Sequence, residues 1–142
     1  MKVDHLKDHG YKATLDFPTV GIFDELLPYF PEAKILLTVR DSPAAWVKSF
    51  RSTIWELMGL KTYMGGAGKI HRYISGYELS VMNSAVFQNL LDLMFERVVN
   101  KGNKYSKNTL PSYTRDFTDD QYEIMYANWI NYVKQAIVKD FQ

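Results

Sequence analysis

The stretch that constrains this chain most is residues 31–50, which read Pro-Glu-Ala-Lys-Ile-Leu-Leu-Thr-Val-Arg-Asp-Ser-Pro-Ala-Ala-Trp-Val-Lys-Ser-Phe. Residues 35–39 form a short apolar run broken only by Thr38 and containing the β-branched Ile35 and Val39. That pattern predicts a strand buried on both faces, as in a parallel sheet covered by helices. The run stops at Arg40-Asp41. Ser42 is a residue that caps helices, and Pro43 fits a first helical turn. Beyond it Ala45, Trp46, Phe50, Ile54 and Leu57 fall on one side of a predicted helix over 43–58. The unit is therefore strand (34–40), charged turn, helix.

In open α/β sheets ligands gather outside the carboxyl ends of the strands. Arg40 stands at such an end, just before a helix start with its free N–H groups and partial positive charge. A planar, permanently charged guanidinium in that place suits a phosphate. The plainer reading is that Arg40 and Asp41 pair with neighbours at a sheet edge. These residues alone leave both open.

The rest of the chain reads as helix-rich. Residues 11–16 alternate loosely and predict a second short strand ending at Asp16. Residues 20–29 predict a helix with Ile22, Phe23, Leu26 and Leu27 inward and its last turn disturbed by Pro28. Residues 77–100 carry the longest helical pattern, with Leu79, Met82, Val86, Leu90, Leu93, Met94 and Val98 as its apolar stripe. Thr118 and Gln121 form a capping-box signature. The helix it opens, over 119–138, puts Tyr122, Met125, Tyr126, Trp129, Val133 and Ile137 on one face. Residues 101–111 read as an exposed basic loop. At 142 residues one domain is expected, covering 1–142, and the 15% aromatic content offers a large burial per residue.

Several function classes fall away. A net charge of +1 gives no field for nucleic acid. The absence of cysteine removes disulfides and cysteine-based zinc sites and fits a reducing compartment. No apolar run approaches a membrane span and no signal-peptide core opens the chain, so a cytoplasmic location is expected. His5 and His9 share a helical spacing that can bind metal, but only Asp4 and Asp8 lie near, and a surface helix ended by Gly10 is the simpler reading. Met64-Gly-Gly-Ala-Gly-Lys69 fails as a phosphate-binding P-loop, because Tyr63 holds the first glycine position and Ile70 follows the lysine. With Lys61, His71 and Arg72 this region is still locally basic.

ILLTVRDSPAAWVKSF resembles the strand–helix segment of the sulfotransferases that use 3′-phosphoadenosine-5′-phosphosulfate. It is most similar to the branch reading PxAKxILTVRDxxxxWxxS. Upstream, Asp16-Phe-Pro-Thr, Phe23-Asp-Glu-Leu-Leu and Pro31-Glu-Ala-Lys resemble that branch's DxPxxxxxxELLxxYPxAK. The specific likeness covers about residues 10–57, with a weaker one at 126–134. It implies a helix-rich α/β fold, a remnant of the parallel-sheet P-loop-type sulfotransferase architecture. It implies transfer of a sulfonate to a hydroxyl or amine of a small-molecule acceptor. By position Arg40 and Ser49 would hold the nucleotide's 3′-phosphate. Asp16 stands where many members carry a general-base histidine, so it either acts as base or caps the turn. The family's Gly-rich loop for the 5′-phosphosulfate has no counterpart in this sequence. The chain thus resembles the middle of the domain with both ends missing, which predicts an isolated chain without activity. The alternative is a non-catalytic binding or oligomerisation module, in which a second copy or a partner covers open strand edges.

Overall fold

The computed structural model describes residues 10–16, 19–55 and 85–140. Its helices are α1 (Phe23–Leu26), α2 (Pro43–Phe50), α3 (Ala85–Asn103) and α4 (Asp119–Asp140). Single 3-10 turns flank α1 at Thr19–Gly21 and Leu27–Tyr29, and a π-helical turn, Arg51–Trp55, extends α2. His5 and His9, the glycine-rich 64–69 stretch with its basic neighbours, Leu57, Leu79 and Met82 lie outside the described residues. No helix among the described residues is long and apolar enough to cross a membrane.

The breaks follow from local chemistry. Pro28 lacks the N–H an α-helix needs, and the segment tightens to a 3-10 turn there. Ser42, with extended backbone, accepts the Ala45 N–H on its hydroxyl at 3.1 Å, and Pro43 follows as the first helical residue. At α4 the capping box closes in both directions. The Thr118 N–H donates to the Gln121 side chain at 2.9 Å, and the Gln121 N–H donates to the Thr118 hydroxyl at 3.3 Å.

The expected strands are corrected. Among the described residues neither 11–16 nor 34–40 forms a strand. A strand exists only through a ladder partner, and the backbone groups of residues 34–39 have none among the described residues. Burial on both faces is not seen either, since Leu36 and Val39 are exposed. Ile35 and Leu37 are half-buried, with Leu37 against the core, while Leu36 is 90% exposed. What is described is a helical layer in which α4 packs on both α2 and α3.

Two apolar stripes also shift. The stripe from Phe50 runs not to Ile54, which is 43% exposed, but to Trp55, which packs against the core. The π-turn explains this, since its extra residue per turn replaces an i+4 neighbour by an i+5 neighbour. Ala45 likewise faces solvent and Val47 is buried. On α3 the core face is Leu91, Met94, Phe95, Val98 and Val99, while Leu90 and Leu93 are exposed. α3 carries more apolar residues than one face holds, and α4 selects which are covered.

The core is largely aromatic. Tyr122 is fully buried, with Phe50, Trp55, Tyr113 and Phe117 around it at ring-centroid distances of 5.1, 5.9, 6.5 and 5.7 Å. Its hydroxyl meets that of Tyr113 at 3.3 Å, which satisfies a polar atom that could not otherwise be buried cheaply. Burial pushes the Tyr113 and Tyr122 phenols above their ordinary range, so both stay neutral.

The 101–111 segment is not a free basic loop. Lys101 belongs to α3, and its side chain is only 12% exposed. Its ammonium donates to Asp24, to the Gly21 carbonyl and to Glu25. The Tyr132 hydroxyl donates to the other oxygen of Asp24, so α1, α3 and α4 meet at this carboxylate. Further on, the Asn103 amide bonds both backbone groups of Leu110 at 2.9 Å, and buried Asn128 donates to the Asn108 carbonyl at 2.8 Å. Gly102 permits this closeness, because a Cβ there would stand 3.1 Å from that of Asn128 and 3.3 Å from the α4 backbone.

Two outcomes are expected. Tyr122→Ala removes the centre of the ring cluster and should destabilise the fold by about 3–5 kcal/mol, read by denaturant unfolding. Burial raises the pKa of Asp24, but hydrogen bonds from Lys101 and Tyr132 and the Lys101 charge outweigh it, so the net shift is downward from 3.8. A lowered folded pKa contributes stability above the unfolded value and loses it as pH falls through the folded one. Melting temperature should therefore drop below about pH 4, and Asp24→Asn should flatten that acid limb while lowering stability at pH 7.

Candidate functional site: an arginine at the head of α2

The residues singled out around position 40 do meet. Arg40 ends the 34–40 segment, with two residues between it and the start of α2, and Ser49 lies in the last turn of that helix. The Arg40 Nη2 donates to the Ser49 Oγ at 3.3 Å. A residue's reach thus spans the length of α2 and joins its two ends on one side. Ser42, Trp46 and Ser49 recur at helical spacing and share that side.

The ion-pair alternative for Arg40 finds no carboxylate among the described residues. Among the described residues Arg51, Arg97 and Arg115 each pair with an acid, at 2.8, 3.0 and 2.8 Å to Asp119, Glu25 and Asp92. Among these residues Arg40 pairs with no acid, and Asp41 beside it makes no salt bridge. An exposed guanidinium without a counter-ion, held by a neutral hydroxyl, keeps its full charge and most of its donors available. The nearby N-terminus of α2 adds to the positive potential. Chemically such a guanidinium can donate to an anion with several oxygens.

Aromatic packing carries the arrangement. Trp46 is stacked between Phe50 and Tyr126, each at 5.0 Å, with interplanar angles of 8° and 17°. The Tyr126 hydroxyl accepts the backbone N–H of Arg40 at 2.7 Å. The sequence marked Tyr126 only as one of a core stripe. Its helical spacing places it on the correct face but says nothing of what its hydroxyl meets 86 positions away.

Asp16 lies elsewhere in the local structure. It has φ of +60°, a left-handed conformation that Asp tolerates better than most residues, and its carbonyl accepts the Val20 N–H at 2.9 Å. The residue is exposed and sets the turn leading into Thr19–Gly21.

Two surface clefts lie apart from Arg40. One, of about 460 Å³, is lined by Asp92, Glu96, Tyr113 and Arg115 among others, and its Arg115 and Asp92 neutralise each other through two 2.8 Å hydrogen bonds. The other, of about 390 Å³, lies between residues 31–35 and Ile137. Neither is lined by Arg40 or Ser49.

Searches of curated proteins and of solved structures returned no match. A scan against protein families matched the model described as Sulfotransferase domain over residues 3–140, nearly the whole chain. The match takes in the Arg40–Ser49 unit and the helix bearing Tyr126. The chain belongs to the sulfotransferase domain family.

Proposed function

We propose that this chain binds the 3′-phosphate side of 3′-phosphoadenosine-5′-phosphosulfate, with Arg40 and Ser49 as the phosphate ligands. One observation carries the reading. Arg40 has no carboxylate partner among the described residues and is held instead by the Ser49 hydroxyl, at the head of a helix. A phosphate there would take charge-assisted hydrogen bonds from the guanidinium and a neutral one from the serine. Membership of the sulfotransferase family supports the choice of this nucleotide over other anions. The nucleotide supplies the sulfonate group; this chain's residues bind and orient its 3′-phosphate. The acceptor would be a small molecule with a hydroxyl or amine. We assign Asp16 to the turn rather than to base catalysis, since it is exposed. The sequence holds no Gly-rich loop for the 5′-phosphosulfate, so the 142-residue chain alone is expected to bind without transfer.

A second reading, a binding or assembly module, has its own observation. Residues 34–39 make no backbone hydrogen bond among the described residues, and Leu36 at their centre is 90% exposed. Backbone groups without partners can take up a strand from another chain.

Thermal melts separate the two. With 3′-phosphoadenosine-5′-phosphate at ~100 times its dissociation constant, the fold should gain about 2.7 kcal/mol, and Arg40→Ala should abolish the gain. Arg40→Lys should recover only part of it, because a single ammonium cannot reproduce the planar fork. A native chain that melts cooperatively with no ligand shift overturns the phosphate reading. If instead the melting temperature rises with protein concentration, and Leu36→Glu removes that dependence while Arg40→Ala does not, the assembly reading holds.

A further inference from the structure

We infer that Tyr126 is the positioning residue of the Arg40 site, an inference that rests on the reading of Arg40 as a phosphate ligand. Arg40 is exposed and ends a segment that touches the core through Leu37 but makes no backbone hydrogen bond over residues 34–39 among the described residues. From residues 34–40, the bond from the Arg40 N–H to the Tyr126 hydroxyl is the one backbone hydrogen bond to any described residue. Tyr126 is therefore the anchor of the arginine's main chain. The same ring also fixes the other half of the site. It stacks on Trp46, one helical turn before Ser49 on the same side of α2. Trp46 in turn stacks on buried Phe50. One side chain of α4 thus holds both the backbone of Arg40 and the helix face that presents Ser49.

The consequence for binding is preorganisation. A guanidinium whose main chain is untethered must be ordered when the anion arrives, and that cost is subtracted from affinity. With the tether in place, Arg40 starts within hydrogen-bond reach of Ser49. Tyr126 does this through Arg40 and needs no contact with the nucleotide.

Tyr126→Phe isolates the role, because it keeps the stacking ring and removes only the acceptor. Three quantities are measured on the native chain and this variant. They are amide hydrogen exchange at Arg40, affinity for 3′-phosphoadenosine-5′-phosphate by calorimetry, and melting temperature without ligand. The expected result is loss of Arg40 amide protection and about tenfold weaker binding, the scale of one ordinary hydrogen bond, with the melting temperature nearly unchanged. A merely structural role would lower the melting temperature and leave Arg40 exchange in step with its neighbours. Unchanged Arg40 protection in Tyr126→Phe, or unchanged affinity despite lost protection, overturns the inference. A native chain that binds no nucleotide overturns the phosphate reading and with it the positioning role for that ligand, while the exchange data still decide whether the tether exists. Should Tyr126→Phe fold poorly, the native chain decides: Arg40 amide protection above that of residues 34–39 is expected, and protection no greater than theirs overturns the tether.

Discussion

The stack of Phe50, Trp46 and Tyr126 is the interaction on which the arrangement of this chain depends. It joins α2 to α4 through three nearly parallel rings. An eight-residue helix such as α2 has no independent stability in water, since nucleation consumes most of what so few hydrogen bonds return. Its capping serine and first-turn proline favour a start but do not hold the helix. Packing does, and the packing is aromatic. The position of Ser49 is therefore a tertiary fact, inherited from the rings that pin α2 in place.

The far end of α2 is braced by a second device. The π-turn carries the chain round so that Trp55 rather than Ile54 meets the core, with its ring 5.9 Å from that of Tyr122. Arg51 lies over both rings at 4.4 and 4.8 Å and bonds the Asp119 carboxylate and the Phe117 carbonyl. Asp119 opens α4, where a carboxylate favours the helix dipole. α4 thus touches α2 at both ends, through Tyr126 near its start and through Arg51 near its finish. It also meets α1 and α3 through Tyr132 and its bond to the shared Asp24 carboxylate.

The arginines show how one residue type divides between framework and candidate site. Arg51, Arg97 and Arg115 spend their charge on acids from other segments and tie the helices and the 111–118 loop together. Arg40 is exposed, has a hydroxyl for its partner, and has its main chain held by a phenol. Nothing in composition distinguishes these four. Their surroundings do, and those are set by contacts 66 to 86 positions apart in three cases, with Arg115 and Asp92 nearer in the chain.

What the sequence determined by itself is what local chemistry can specify. Ser42 and Pro43, Thr118 and Gln121, and Pro28 act within a turn of their own positions, so the starts of α2 and α4 and the break after α1 were legible in order. The face of α4 was legible too, because its apolar residues recur at one period. The resemblance singled out Arg40 and Ser49 as phosphate ligands; the hydrogen bond between them is a contact that the structure adds. Tertiary structure decided the rest. Whether residues 34–40 become a strand depends on a ladder partner, which no local pattern supplies. The core face of α3 depended on which of its surplus apolar residues α4 covers. The π-turn moved the stripe of α2 by one residue. The hydroxyl of Tyr126 met Arg40 only because two helices crossed there. Local interactions fix elements; long-range packing chooses faces and brings side chains together, and the site is made of the latter.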